Sequence, residues 1–243
     1  MSQLLASCNS VMDELGLARV STILSGASNV SADPNARRLL SCANRAVQAL
    51  YKAHDWSVLH REYEFTTEAD VGNYLLPDDF GRSIGSTAWD RTTYWRVAGS
   101  LTPQQWQLRR SALVSSPATR FGFRALIGSR QASLLLDPVP SAAHSLVIEY
   151  VSQYVIENSD NEPFEAFASD FHHVRLDPEL FVLGLTWRVR KSYGFPYGDD
   201  RADYEAALKI AKAQDFSMPP VNVGGGAECR MPHPSIPEGS WHV

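Results

Sequence analysis

The apolar residues change period twice along this chain, and that change limits what it can fold into. Two Asp-Pro pairs, Asp33-Pro34 and Asp177-Pro178, mark the helical ends. Aspartate accepts from the free N–H groups of a first helical turn, and proline fits the first helical position, where no N–H is needed. Each pair is followed by apolar residues three and four apart. Between residues 57 and 155 the spacing is two, broken by turn residues. Helices at both ends and strands between them predict an α+β fold. The terminal helix pairs pack on each other because neither can bury its apolar face alone, and an antiparallel β-rich domain is inserted between them.

The detailed reading follows these signals. Residues 3–15 form an amphipathic helix with Leu4, Cys8, Val11, Met12 and Leu15 on one face, Ser2 as cap and Gly16 as stop. Residues 18–32 are a loop. The second helix runs from Asp33 to about His54, with Ala36, Leu39, Leu40, Ala43, Val47 and Leu50 inward. Strands are expected at Arg61–Thr67, Tyr74–Leu76, Tyr94–Val97, Gln105–Leu108, Thr119–Ile127, Ala132–Leu136 and Ser145–Val155. The turn Asp137-Pro138-Val139-Pro140-Ser141 predicts that the last two are antiparallel neighbours. Phe164, Phe167 and Phe171 read as plugs. Leu180 to Val189 is apolar nearly all round, which predicts a buried helix stopped by Gly194. Asp199 or Asp200 then caps a final helix to about Asp215, with Tyr204, Ala207, Leu208 and Ala211 inward. The expected divisions are 1–56, 57–155, 156–216 and an extended tail at 217–243.

That tail holds five prolines and four glycines. They interrupt any helix or central strand. Its few apolar side chains cannot offset an ordering entropy of roughly 1–2 kcal/mol per residue. Extended, it reaches roughly 80–90 Å, at about 3.1–3.3 Å per residue. A segment with this composition is expected to be ordered by a partner.

Composition excludes several classes. The net charge of -5 argues against general nucleic-acid binding. No run of 18 apolar residues is present, so no transmembrane helix is expected. The N-terminus lacks a basic region and does not read as a secretory signal, which implies use in a cytoplasm or in something assembled there. Cys8, Cys42 and Cys229 are widely spaced and suggest neither a disulfide framework nor a zinc site.

The candidate chemistry is thin. Gly81-Arg82-Ser83-Ile84-Gly85 matches G-x-S-x-G, but a nucleophile elbow needs a buried strand before the serine and a helix after it, and neither flank fits. His172-His173, near Asp170 and Asp177, is adjacent rather than spaced for one metal. Gly224–Gly226 follows no strand and is no phosphate loop. Arg109, Arg110, Arg120, Arg124 and Arg130 bias the β region towards positive charge; a nucleic-acid stripe and a solvated or inter-subunit face are both open readings. The aromatics Trp89, Tyr94, Trp95 and Trp106 suit core or interface. No catalytic residue, metal or cofactor is expected.

Four blocks resemble the head–tail adaptors of tailed bacteriophages, the head-completion or tail tubular protein A-like family. They are LLASCNSVMDELGL with DPNARRLLSCANRAVQAL and HDW; NYLLPDDFGR; SLLLDPVPSAAHSLVIEYVSQY; and DPELFVLGLTWRVRKSYGFPYGDDRADYEAAL. In the last, Leu183-Gly184-Leu185, Trp187-Arg188, Gly194, Tyr197 and Tyr204 fall where the family repeats them. The resemblance implies a structural ring protein of the virion, twelve copies in the family, docked on the portal protein and presenting a surface to a tail or nozzle protein. DNA would pass through its channel without specific binding, and assembly would take place in the bacterial host cytoplasm. The tail would supply portal affinity through Met218, Pro219, Pro220, Val221, Ile236 and Trp241. A nucleic-acid module using the Arg109–Arg130 stripe and a serine esterase using Ser83 are the alternatives.

Overall fold

The computed structural model describes residues 3–24, 30–111, 121–126 and 131–215. Calls on Ser2, Arg120, Arg130, Cys229 and the portal-binding tail residues Met218, Pro219, Pro220, Val221, Ile236 and Trp241 lie outside them. The fold is α+β. In chain order the elements are α1 (Leu4–Glu14), α2 (Pro34–Ala53), β1 (His60–Thr66), β2 (Asn73–Leu75), β3 (Phe80–Ser83), β4 (Trp89–Asp90), β5 (Trp95–Arg96), α3 (Pro103–Ser111), β6 (Gly122–Leu126), β7 (Ser133–Asp137), β8 (Ser145–Ser152), β9 (Ile156–Glu157), β10 (Pro163–Phe164), β11 (His173–Val174), α4 (Pro178–Tyr193) and α5 (Gly198–Asp215).

Both Asp-Pro signals open helices. Asp33 accepts from the Asn35 N–H and Asp177 from the Glu179 N–H, each at 2.9 Å. Gly16 at φ +66 and Gly194 at φ +79 end α1 and α4. In each case the glycine N–H and that of the following residue turn back onto the final carbonyls, a Schellman closure that only glycine adopts without a Cβ clash. Gln3, not Ser2, is the N-cap residue of α1, with no side-chain cap. α5 begins at Gly198, two or three residues earlier than a cap at Asp199 or Asp200 would place it: the Arg201 N–H donates to Tyr197 O at 3.0 Å, so Asp199 and Asp200 sit inside the first turn. There they still favour the helix through its dipole.

Two hydrophobic cores share the chain. The first gathers Leu4, Cys8, Val11 and Met12 of α1, Leu39, Ala43, Val47 and Leu50 of α2, Leu180, Phe181, Leu185 and Val189 of α4, and Tyr204 of α5. The helix repeat of the fourth sequence block explains one crossing. Gly184 lets Tyr204 approach so closely that a Cβ there would stand 3.1 Å from its ring. Arg188 lies over Trp187 at 4.2 Å and Tyr204 at 5.6 Å, a cation held on aromatic faces. Burial pulls Arg188 below its ordinary range and pushes Tyr204 above its own.

The second core lies between two sheets. Leu146, Ile148 and Tyr150 of the larger sheet meet Leu134, Leu136 and Phe123 of the smaller. In the larger sheet β8 is central, paired with β1 on one edge and with β3 and β4 on the other; β5 follows β4. The smaller sheet runs β2-β7-β6. Thus β7 and β8 are not neighbours, contrary to the turn-based expectation. Both edges of each strand are already paired, and the Asp137–Ser141 connection carries the chain from one sheet to the other. Strand β8 also serves the helical core, since Val151 on its opposite face belongs there.

Gln105–Leu108 is not a strand. It lies in α3, opened by a reciprocal capping box: the Thr102 N–H donates to Gln105 Oε1 at 3.0 Å and the Gln105 N–H to Thr102 Oγ1 at 3.3 Å. Phe167 is buried, but Phe171 is 67% exposed and plugs nothing. Its neighbours Asp170, His172 and His173 turn inward and leave it on the outer side of the loop.

Candidate interaction surfaces

Strands β4 and β5 form a hairpin at the free edge of the larger sheet, with Trp89 opposite Arg96 and Asp90 opposite Trp95. Its base is fixed by Asp90, which is buried. Asp90 accepts from the Thr92 N–H at 2.8 Å, the Thr93 N–H at 3.2 Å and the Thr93 hydroxyl at 2.7 Å, and its second oxygen lies 2.9 Å from His144 Nδ1. Arg91 reaches Glu62 at 2.6 Å and Glu64 at 3.4 Å on β1. Thr92 accepts from the Ser145 N–H. A buried, fully engaged carboxylate holds such a turn more firmly than solvated contacts do.

The rigid base presents aromatics outward. Trp89 is 38% exposed, Trp95 43% and Tyr94 82%, while Trp106 of α3 is buried. Tyr94 adopts φ +60, a left-handed conformation costly for a bulky side chain. Exposed rings on a strained, pinned turn are the physical signature of a contact surface. A second apolar strip lies on the outer face of the smaller sheet, where Leu75 and Leu126 flank Ser133 in register and are both exposed.

The remaining candidates are dispersed. Ser83, at the end of β3, pairs with Tyr150 of β8, and a turn rather than a helix follows it, so the elbow geometry does not form. His172 stacks on Phe164 at 4.4 Å and takes the Ala168 N–H on Nδ1, whereas His173 Nε2 lies 2.9 Å from Glu157. The two rings serve different partners. Burial, then the neighbouring His173, holds His172 below its ordinary pKa. Among the described residues no group of three or more His, Cys, Asp and Glu side chains is placed to hold a metal ion, and no described helix is long and apolar enough to cross a membrane. Among the described residues, the arginines of the expected stripe are divided between two elements. Arg109 and Arg110 ride on helix α3, Arg109 engages Asp137 at 2.9 Å, and Arg124 is on β6.

Sequence reading assigned no structural role to two further buried acids. Asp170 accepts from the Thr22 hydroxyl at 2.9 Å, the Ile23 N–H at 3.1 Å and the Leu24 N–H at 2.8 Å, locking the loop after α1 onto the segment before α4. Asp79 accepts from the Tyr150 and Ser152 hydroxyls, each at 2.8 Å, and lies 3.4 Å from Arg61. Burial first, then the hydrogen bond to Asp79, raises the Tyr150 pKa. Nothing near these acids in sequence names partners up to 148 positions away.

A scaffold with buried polar pins and outward aromatics suits a protein that makes contacts through its surface. A family model described as SU10 adaptor protein matches residues 12–224. The chain belongs to this family of phage adaptors, as its four sequence blocks suggested. Membership points to a structural, non-enzymatic virion protein that contacts other head or tail proteins. No curated protein matches the chain.

Proposed function

We propose that this chain is the head-to-tail connector of a tailed phage: a ring joining portal to tail and continuing the DNA channel. The observation that carries the reading is family membership over residues 12–224. In this reading the helices of 1–56 and 156–216 form the ring body, and the β-rich 57–155 region contacts the tail or nozzle protein. The exposed Trp89, Tyr94 and Trp95 suit that contact, because aromatic anchors dominate interface energies. The segment 217–243 docks on the portal through Met218, Pro219, Pro220, Val221, Ile236 and Trp241. Proline-rich segments lose little entropy when they dock extended. DNA slides through the channel without specific contacts, consistent with a net charge of -5.

The test combines the full chain, and a version ending at Asp215, with purified portal. The full chain should form rings on portal visible by electron microscopy, and the shortened chain should load many-fold more weakly. Equal loading would remove the tail from the portal contact. A full chain that never associates with portal would sink the connector reading.

A further inference from the structure

Helix α2 carries Arg37, Arg38, Arg45 and Lys52 and no acidic residue. Among the described residues none of these four makes an ion pair. An open groove of about 610 Å³ runs along this face, lined by Val30, Arg37, Leu40, Ser41, Asn44 and Arg45. A cationic helix face with an apolar floor calls for an occupant that is both acidic and close-packing.

Such a face exists on the same chain. The outer side of α5 exposes Asp199, Ala202, Asp203, Ala206 and Ile210, the last 58% exposed. Asp200 is taken by Arg190 and Glu205 by Arg201, but Asp199 and Asp203 have no ion-pair partner among the described residues. Helix α4 packs against both α2 and α5, and the exposed residues of the α2 groove and of this α5 face are on the sides of their helices away from the shared core.

The heights match. The Tyr193 hydroxyl donates to Asn35 at 2.8 Å, and Arg190 holds Asp200 at 3.0 Å, so the first turns of α2 and α5 lie beside the end of α4. At the other end His54 lies 3.3 Å from Asp215. The helices therefore run parallel over the same rise. Equal steps back from His54 and Asp215 bring Ala202 level with Ser41, Ala206 level with Arg45, and Asp203 between Arg38 and Arg45. Lys209 falls level with uncharged Gln48. A rotation about an axis along these helices moves α5 sideways onto a neighbour's α2 without changing that level.

We propose that, in the ring, the outer face of α5 of one copy seats in the α2 groove of the next, with Asp199 and Asp203 against Arg37 and Arg45. Such a contact is head-to-tail, joining two different patches, as ring closure requires. The alanines permit close helix approach, and the complementary charges fix the register. This rests on the ring reading above. Duplex DNA is the competing occupant of the cationic face; the apolar floor at Val30 and Leu40 favours a helix.

The experiment uses the full chain with portal. Arg45→Glu and Asp203→Arg should each abolish rings, and the double variant should restore them. Both residues are exposed, so circular dichroism and melting should be unchanged. In parallel, Ser41→Cys with Ala202→Cys should give oxidised ladders of linked copies. Rings that survive both single reversals, or wild-type rings without ladders from the cysteine pair, would overturn this interface and leave the ring reading intact. A wild-type chain that never forms rings would overturn the ring reading itself. Salt-sensitive duplex binding lost in Arg45→Glu, with rings preserved, would assign the face to DNA and overturn the proposal.

Discussion

Ser57 and Asp215, 158 positions apart, meet through two hydrogen bonds: the Ser57 N–H at 3.0 Å and its hydroxyl at 2.6 Å both donate to the Asp215 carboxylate. His54 lies 3.3 Å from the same group. The last turn of α5 is thereby tied to the place where the chain leaves α2 for the sheets. In sequence, Asp215 stands two positions before the proline-rich segment 217–243.

Asp215→Ala should lower stability by about 1–2 kcal/mol, the usual contribution of hydrogen bonds to a charged group near the surface. Urea denaturation measures this. Amide exchange should quicken around residues 54–59 and in the last turn of α5 while α1 stays protected.

Asp170→Ala should be more damaging, by about 3 kcal/mol, because the Ile23 and Leu24 N–H groups would be left buried without acceptors. The midpoint of denaturation should fall without a change in slope, and proteolysis should open the loop after α1.

Gly81→Ala should cost about 2 kcal/mol. A Cβ there would overlap the Tyr51 hydroxyl and stand 2.8 Å from the Val151 carbonyl. Pairing Gly81→Ala with Tyr51→Phe should recover part of the loss, which a thermal melt can read.

Tyr94→Gly should raise stability by about 1 kcal/mol by relieving its left-handed backbone, yet weaken binding to the tail or nozzle protein. Unchanged binding in a pull-down would show that the ring is not a contact.

Cys8 is buried, and burial together with Asp170 pushes its thiol from the ordinary 9.0 up to about 12. The neutral form is the one the fold favours. Its contribution is therefore complete below pH 9 and is lost as the pH rises towards 12. Cys42 is raised in the same direction by burial. Both should resist alkylation at pH 8 until the protein unfolds, as peptide mapping of a pulse-labelled sample would show.

The helices were legible because their signals are local. Asp33-Pro34, Asp177-Pro178, Gly16 and Gly194 each act within a few residues. Strand pairing is not local, and a proline turn between two apolar runs cannot reveal that β1, β3 and β4 already occupy β8. α3 was misread because Gln105, Trp106, Gln107 and Leu108 alternate like a strand. The capping box formed by Thr102 and Gln105 was present in the sequence and outweighs that alternation. Exposed aromatics at Trp89 and Tyr94 could be narrowed only to core or interface. Which of the two holds depends on Asp90 and His144, 54 positions apart.

Strand β8 contributes Leu146, Ile148 and Tyr150 to one core and Val151 to the other. A tensile load applied at the aromatic hairpin passes through β4 directly into this single beam, and along it to the helices. Neither core can slip while the other stays intact. Under force the subunit should yield in one step rather than core by core.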